Sequence, residues 1–247
     1  MHPRGCDKLV AKTLGIAPER VLADLRDSVG DAGAAAGPLL IASALECGKP
    51  GDVIVVAGFG LGCEALVFQI TGDAPRPKFG LAETLAQRRA ETSYGKMLSF
   101  SGELRLDWGP RSEVQIKAAL TQQYRSADQV LGFVGGRCAK CGQVQFPRLP
   151  VCVSCASSDA QAPFPLADES ARIATMSADW LQYYPAPPLY VGLVQFEAGA
   201  RILMEIVDAS ADEVKVGVPV RFAFRLKAHD ELRHYTRYFW KAVPKTP

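Results

Sequence analysis

The chain has 247 residues, of which 48% are hydrophobic and 22% charged, and its formal net charge is +2. These values are typical of a globular protein with one large or two modest domains, and they exclude disordered and collagen-like classes. The near-zero charge provides no strong field for nucleic acid or anionic lipid. No apolar run approaches the roughly 20 residues of a membrane span, and no signal-peptide core follows the first residue. We therefore expect a cytoplasmic protein that is neither secreted nor embedded in a membrane.

Residues 1–72 are predicted to form an α/β unit. Apolar residues at helical spacing over residues 9–14 predict a first helix, Pro18 begins a second, and AAAGPLLIASALE predicts a third. The β-branched run DVIVVAG predicts a buried strand, followed by the glycine-rich turn GFGLG. The next run, CEALVFQI, predicts a second strand that pairs back on the first.

Residues 73–136 are predicted to be a connector with helices. The segment begins with the breaker-rich DAPRPK and continues into a charged helix, LAETLAQRRAE. The later part of the segment is polar and has few apolar side chains that could be buried in a core. We therefore expect it to lie over the surface of a neighbour rather than to form a core of its own.

Four of the seven cysteines have the spacing C-x2-C-x10-C-x2-C, which is typical of a zinc ribbon: Cys138, Cys141, Cys152 and Cys155. Each C-x2-C pair turns two thiolates toward one point, and Gly142 suits the tight turn after the first pair. The alternative is two unrelated pairs of buried or redox cysteines. A four-sulfur shell leaves no open position for water, so we expect a structural Zn²⁺ in a ribbon over residues 137–158. The function must then lie elsewhere.

The other three cysteines, Cys6, Cys47 and Cys63, are predicted to be small buried core residues. An odd cysteine count in a cytosolic chain argues against a disulfide framework. Cys63 follows the glycine-rich turn, and the alternative is that it is a nucleophile, but no base is adjacent to it in the sequence.

Residues 159–247 change to the alternation of β-strands. Five strand-like runs are separated by turn residues: RIATMSADW, LYVGLVQFE, ARILMEIVD, PVRFAFRLK and HYTRYFWKAV. Five such strands predict a small Greek-key barrel of the size of an OB-fold. Phe222 and Phe224 are two residues apart and are expected to face the core together. The predicted fold class is therefore an α+β multidomain protein with an α/β unit, a zinc ribbon and an OB-fold barrel.

The order of these parts resembles known proteins. A ribbon followed by GLVQFEAGARILMEIVD and VGVPVRF resembles, over about residues 125–245, the zinc-ribbon OB-fold proteins that accompany thiolase-like enzymes. Residues 2–72 resemble the last part of the thiolase fold, as in hydroxymethylglutaryl-CoA synthase and ketoacyl-ACP synthase III. There a catalytic His, a G-N-x-G turn and a GFG loop occur in the order of His2, VGDAGAA and GFGLG. The chain thus resembles the C-terminal part of a thiolase-like enzyme fused to an accessory domain with a rubredoxin-like ribbon.

The resemblance implies a component of an acyl-CoA-processing condensing enzyme, of the acyltransferase class. It implies that His2 is an acid–base group or oxyanion donor, and that Gly58, Gly60 and Gly62 let the backbone approach a CoA thioester. The alternatives are an exposed chain terminus and an ordinary hairpin turn. Asp31 stands where the family has Asn, and an ionised carboxylate cannot donate to an oxyanion. The resemblance therefore implies either impaired Claisen chemistry or a variant reaction such as aldol cleavage.

The nucleophilic cysteine of the family belongs to the N-terminal half of the fold, which lies outside this sequence. Whether the chain is itself an enzyme therefore stays open. We expect a thiolase-like subunit, or the N-terminal half, as its partner in a homo- or hetero-oligomer that binds acyl-CoA. One alternative is a non-catalytic acyl-CoA-binding scaffold for a separate thiolase or aldolase. Another is a protein that binds single-stranded nucleic acid through its barrel, although residues 201–247 hold only nine basic against six acidic side chains.

Overall fold

The computed structural model describes residues 5–72, 80–90, 92–105, 107, 109–110, 120–182, 184, 186–230 and 233–245. The chain divides into two compact units, unit 1 (Met1–Ala90) and unit 2 (Glu91–Pro247). The helices of the described residues are α1 (Cys6–Thr13), α2 (Arg26–Val29), α3 (Ala36–Cys47), α4 (Leu81–Ala86), α5 (Tyr94–Phe100), α6 (Leu120–Arg125) and α7 (Ala127–Val130). None of them is long and apolar enough to cross a membrane.

Within the part of the chain that the structure describes, the strands form three separate sheets. Their bounds are β1 (Val53–Phe59), β2 (Cys63–Gln69), β3 (Val134–Cys138), β4 (Val144–Gln145), β5 (Gln161–Pro165), β6 (Ala171–Ile173), β7 (Ser177–Asp179), β8 (Leu189–Phe196), β9 (Arg201–Ile206), β10 (Pro219–Asp230) and β11 (Tyr235–Pro244). β1 and β2 form a two-stranded sheet in unit 1. Unit 2 holds a three-stranded sheet, β4-β3-β5, and a larger sheet that contains β6 to β11.

Unit 1 contains the predicted hairpin but little core. β1 and β2 are antiparallel, with Val53 opposite Gln69 and Phe59 opposite Cys63, as the sequence predicts. Among the described residues of unit 1, the buried hydrophobic side chains are those of Ala11 and Ala44. In the described part of this unit, α3 contacts β1, where Ile54 and Val56 are half-buried, and every residue of β2 is exposed.

The helix predicted from Pro18 is instead a single 3-10 turn, Pro18–Arg20, followed by α2. The carboxylate of Asp24 accepts a hydrogen bond from the amide of Arg26 at 2.9 Å. Such an Asx turn competes with helix continuation, which explains why the helix restarts at Arg26.

The larger sheet of unit 2 closes into a five-stranded barrel. Its strands follow the order β6-β10-β11-β9-β8, and β8 pairs back with β6. β7 pairs with the remaining edge of β8. The predicted OB-like barrel is confirmed, except that the first predicted strand is divided into β6 and β7. The division falls at Thr175, whose hydroxyl accepts a hydrogen bond from the amide of Leu193 on β8 at 3.1 Å.

One buried cluster joins the ribbon sheet to the barrel. Phe133, which is 0% exposed, precedes β3, and its ring centroid lies 5.3 Å from the rings of Phe146 and Phe222. Val144 and Leu166, from around the ribbon sheet, belong to the same cluster. Ribbon and barrel therefore share one hydrophobic core and form a single packed body.

The prediction for Phe222 and Phe224 is half correct. Phe222 is buried in the barrel core, whereas Phe224 is 38% exposed. Beyond Phe224, β10 pairs only with β11, and the ring of Phe224 stacks on Tyr238 at 5.5 Å. The two residues share a face of β10, but only one of them lies inside the closed part of the barrel.

Candidate functional site

The first cysteine pair lies on a tight turn between β3 and β4. The amide of Cys138 donates to the carbonyl of Gln143 at 2.9 Å, and the amide of Gly142 donates to the carbonyl of Cys138 at 3.0 Å. Gly142 has φ +74°, a left-handed conformation that glycine adopts without strain. This turn directs the thiols of Cys138 and Cys141 to one side.

The second pair repeats this geometry without a glycine. The amide of Cys152 donates to the carbonyl of Ser157 at 2.9 Å, and that of Ala156 donates to the carbonyl of Cys152 at 3.0 Å. Ala156 has φ +56° and stands where the first knuckle has Gly142. The sequence offered no signal for this residue, because alanine is uncommon in the left-handed region. Two copies of one knuckle therefore face each other.

The four sulfur atoms of the predicted zinc ligands converge. The Sγ atoms all lie within 4.8 Å of one another, with Cys138 to Cys155 at 3.7 Å and Cys141 to Cys152 at 3.6 Å. A Zn–S distance of about 2.3 Å separates the sulfurs of a regular tetrahedron by about 3.8 Å. The donor set and its spacing thus fit a four-coordinate structural zinc site, in which Cys138 and Cys152 are buried.

The thiols of the second knuckle differ in acidity. Backbone hydrogen bonds from Cys155 and Ser154 lower the pKa of Cys152 to about 6. A backbone hydrogen bond from Ser157 acts to lower the pKa of Cys155, but burial and the three neighbouring thiols raise it to about 11. One ligand is therefore a thiolate at neutral pH, and Cys155 must lose its proton when the metal binds.

The residues that the resemblance implied in unit 1 are exposed or lie outside the described residues. His2 is outside them. Asp31 is exposed, and its carboxylate accepts a hydrogen bond from the amide of Gly33 at 3.0 Å. Gly58, Gly60 and Gly62 are exposed around the turn between β1 and β2. Asp31 thus belongs to a local Asx turn.

The prediction of three core cysteines is wrong. Cys47 and Cys63 are exposed, and Cys6 is intermediate. Cys63 begins β2, of which every residue is exposed, and Cys47 ends α3, in which Ala44 is the buried residue. The exposed large apolar side chains of the hairpin are Val53, Val55, Phe59, Leu66, Val67 and Phe68, with Leu61 at the turn.

The described residues of the barrel carry several ion pairs between basic and acidic side chains. The carboxylate of Glu205 contacts Lys227 and lies 2.5 Å from Nζ of Lys241. Arg225 lies 2.7 Å from Asp208. Acidic partners therefore neutralise much of the charge that single-stranded nucleic acid would need.

Family models match three parts of the chain. The ChsH2 rubredoxin-like zinc ribbon domain matches residues 125–160, and the ChsH2 C-terminal OB-fold domain matches residues 173–225. The C-terminal region of 3-oxoacyl-[acyl-carrier-protein] synthase III matches residues 2–70. The chain therefore joins a thiolase-like C-terminal region to a zinc ribbon and an OB-fold domain, which confirms the fusion that the resemblance implied.

Curated relatives are similar to half of the chain. A DUF35 domain-containing scaffold protein of Methanothermobacter thermautotrophicus is 26% identical over 126 residues, which are 50% of this chain and 94% of the relative. A protein of the same description from Methanocaldococcus jannaschii is 25% identical over 128 residues, 51% of this chain and 90% of the relative.

Two solved structures are also similar to about half of the chain. The Ltp2-ChsH2(DUF35) aldolase is 24% identical, with a TM-score of 0.38, and the match covers 53% of this chain and 98% of that one. A DUF35 protein of unknown function from Sulfolobus solfataricus is 14% identical, with a TM-score of 0.32 and coverages of 52% and 100%.

Proposed function

We propose that the chain is a scaffold component of a thiolase-like, acyl-CoA-processing complex. In this proposal unit 1 completes the fold of a thiolase-like partner that carries the nucleophilic cysteine, and unit 2 docks beside it. Residues 2–70 resemble the C-terminal region of a synthase III, which supports a thiolase-like partner that supplies the rest of that fold. The similarity of half of the chain to DUF35 scaffold proteins supports the scaffold role.

The exposed apolar side chains of the β1–β2 hairpin are the observation that carries the proposal. The register places Val55 opposite Val67 and Val56 opposite Leu66, so that apolar side chains occupy both faces of the sheet. Strands that are apolar on both faces are typical of a central position between two layers. A two-stranded sheet is marginally stable by itself, and its outer edges are available to further strands. A partner that adds strands and helices would cover both faces.

The glycines of the turn support a finer proposal, that this turn approaches the acyl thioester. Gly58, Gly60 and Gly62 do not have positive φ, and an added Cβ would meet no described atom within 4 Å. Nothing in the described part of the chain therefore requires glycine at these positions. A thioester seated close to the backbone would require it, with amides directed at the developing charge.

We keep Asp31 and His2 as the proposed catalytic residues of this chain. The exposed carboxylate of Asp31 is an acceptor, so it suits removal of a proton rather than donation to an oxyanion. In aldol cleavage such a base would take the proton of the substrate's hydroxyl group as the C–C bond breaks, whereas in condensation the asparagine of the family donates to an oxyanion. We therefore infer a variant reaction such as aldol cleavage. Because the ribbon cysteines bind metal as thiolates, we assign the complex to the reducing cytoplasm.

Co-expression with a thiolase-like polypeptide that carries the N-terminal half of the fold and its nucleophilic cysteine tests the scaffold proposal. Val67→Lys places a charge on the face of β2 that the partner would cover, and we expect loss of the complex in size-exclusion chromatography with light scattering. Leu203→Lys on β9 is the matched control, since both side chains are 67% exposed. The control should still form the complex. Wild-type complex formation by Val67→Lys would contradict the proposal.

A further inference from the structure

Gln145 is a buried polar residue between the two zinc knuckles. It is 5% exposed and lies on β4, four residues after Cys141. Its backbone pairs with Gly136 on β3, the strand that leads into Cys138. An added Cβ at Gly135 would lie 2.6 Å from the carbonyl oxygen of Gln145, so the two strands approach too closely there for a side chain. The main chain of Gln145 is thus fixed within the hairpin of the first knuckle.

The side chain of Gln145 reaches across to the second knuckle. Its Nε2 donates to the carbonyl oxygen of Val151 at 3.1 Å, and its Oε1 accepts from the amide of Val153 at 2.9 Å. These two residues are the immediate neighbours of Cys152. Both halves of the amide are therefore used on the backbone that flanks a single predicted zinc ligand.

We propose that Gln145 is a positioning residue for metal binding, which holds Cys152 in place relative to the first knuckle. Ten residues separate the two C-x2-C pairs, so their thiols must otherwise be brought together at the expense of chain entropy. The two hydrogen bonds do not involve sulfur, so they orient the backbone around Cys152 and leave its thiol for the metal. Residues that orient metal ligands typically change metal affinity by about 10- to 100-fold when they are replaced.

Gln145→Met tests this role in the full-length chain, because methionine has a similar length and lacks both polar groups. We expect zinc affinity, measured by competition with a chelator of known affinity, to fall by about 10- to 100-fold. Cobalt absorption would report whether four thiolates still surround the metal. A merely structural role would instead lower the unfolding midpoint of the zinc-saturated protein and leave zinc affinity unchanged.

A matched control and a second variant separate the outcomes. Gln195 on β8 makes comparable bonds, donating to the carbonyls of Phe196 and Ala200 and accepting from Arg201 at 2.7 Å. Gln195→Met should keep zinc affinity within about twofold of the wild type. Val153→Pro removes one donor while Gln145 stays in place, so it tests the same contact if Gln145→Met yields no folded protein. Wild-type zinc affinity in either Gln145→Met or Val153→Pro overturns the proposal.

Discussion

The indole nitrogen of Trp240 donates a hydrogen bond to the carbonyl oxygen of Leu131 at 3.0 Å, across 109 positions of sequence. Leu131 directly follows α7, and Trp240 lies on the last strand of the barrel. Between them, the ring of Phe133 stacks on that of Trp240 at 5.7 Å. A hydrogen bond and a stacked ring thus hold the segment that leads into the ribbon against β11.

Replacement of Phe133 should destabilise ribbon and barrel together. Because this ring is fully buried and contacts aromatic rings from both, we expect Phe133→Ala to lower the free energy of unfolding by about 3–5 kcal/mol. Urea denaturation followed by tryptophan fluorescence and by zinc release should show one shared, shifted transition. Phe100→Ala on the exposed face of α5 is the control, with an expected change of less than about 0.5 kcal/mol. Separate transitions for ribbon and barrel would contradict the shared core.

Metal content depends on the four-cysteine cluster. We expect about one zinc ion per chain in the purified protein, and much less in Cys138→Ser, because one of four ligands is lost and ribbon folding is coupled to the metal. Atomic absorption and limited proteolysis measure the two effects. The exposed Cys63, which lies outside the cluster, provides the control variant Cys63→Ser. Folded protein without metal would show the assignment of the ribbon to be wrong.

Zinc affinity should also rise with pH. The pKa of Cys155 is raised to about 11, so this thiol is protonated at neutral pH and must release its proton to bind the metal. Chelator competition between pH 6 and 8 should therefore show progressively tighter binding. A flat profile would indicate that the ligands are already thiolates.

Glu205 should contribute to stability above acidic pH. Burial acts to raise the pKa of this carboxyl, but hydrogen bonds from Lys227 and Lys241 outweigh burial and lower it. A carboxyl with a lowered folded-state pKa stabilises the protein above its unfolded pKa, about 4.3. That contribution is lost as the pH falls through the lower folded-state value.

Glu205→Gln should therefore lower stability most at neutral pH and flatten its acid dependence. Lys241 is 7% exposed and would keep a buried charge without its carboxylate, so we expect a loss of roughly 3 kcal/mol at pH 7. Thermal or urea unfolding at pH 7 and at pH 3 measures the difference. Asp208→Asn, which breaks the more exposed pair with Arg225, should cost less than about 1 kcal/mol. Equal losses in the two variants would contradict this ranking.

Two glycines should respond differently to alanine. At Gly192 on β8 an added Cβ would collide with the carbonyl oxygen of Thr175, so Gly192→Ala should destabilise the barrel by about 1–3 kcal/mol. At Gly60 the same change meets no described atom within 4 Å and should leave stability within about 0.5 kcal/mol.

Calorimetric titration of the co-expressed complex with acetyl-CoA should nevertheless show weaker binding by Gly60→Ala. Unchanged binding would remove the support for a role of this turn at the thioester.

The structural features that can be predicted from the sequence are those that depend on the spacing of residues close together in the chain. The four cysteines act through two short turns, and strand alternation places Phe222 in the core of a closed barrel. Phe133 and Gln145 were not predictable in this way. Their contacts join segments far apart in the chain, and nothing in their immediate neighbours indicates burial.

Cys63 shows the converse error. A β-branched run predicts a strand with two covered faces, and the sequence prediction placed Cys63 in that core. The strands form as expected, but every residue of β2 is exposed in the described part of unit 1. A sequence pattern typical of a buried strand therefore predicts the strand correctly without predicting its burial.

The exposed β1–β2 hairpin has a consequence for the life of the protein in a cell. Its unpaired edges and apolar faces are features by which strands recruit other strands, including those of identical chains. Under the proposed function, chains synthesised in excess of the partner are expected to aggregate or to be degraded by proteases. Balanced synthesis of the two polypeptides, or their translation as one, would then limit how much of either accumulates.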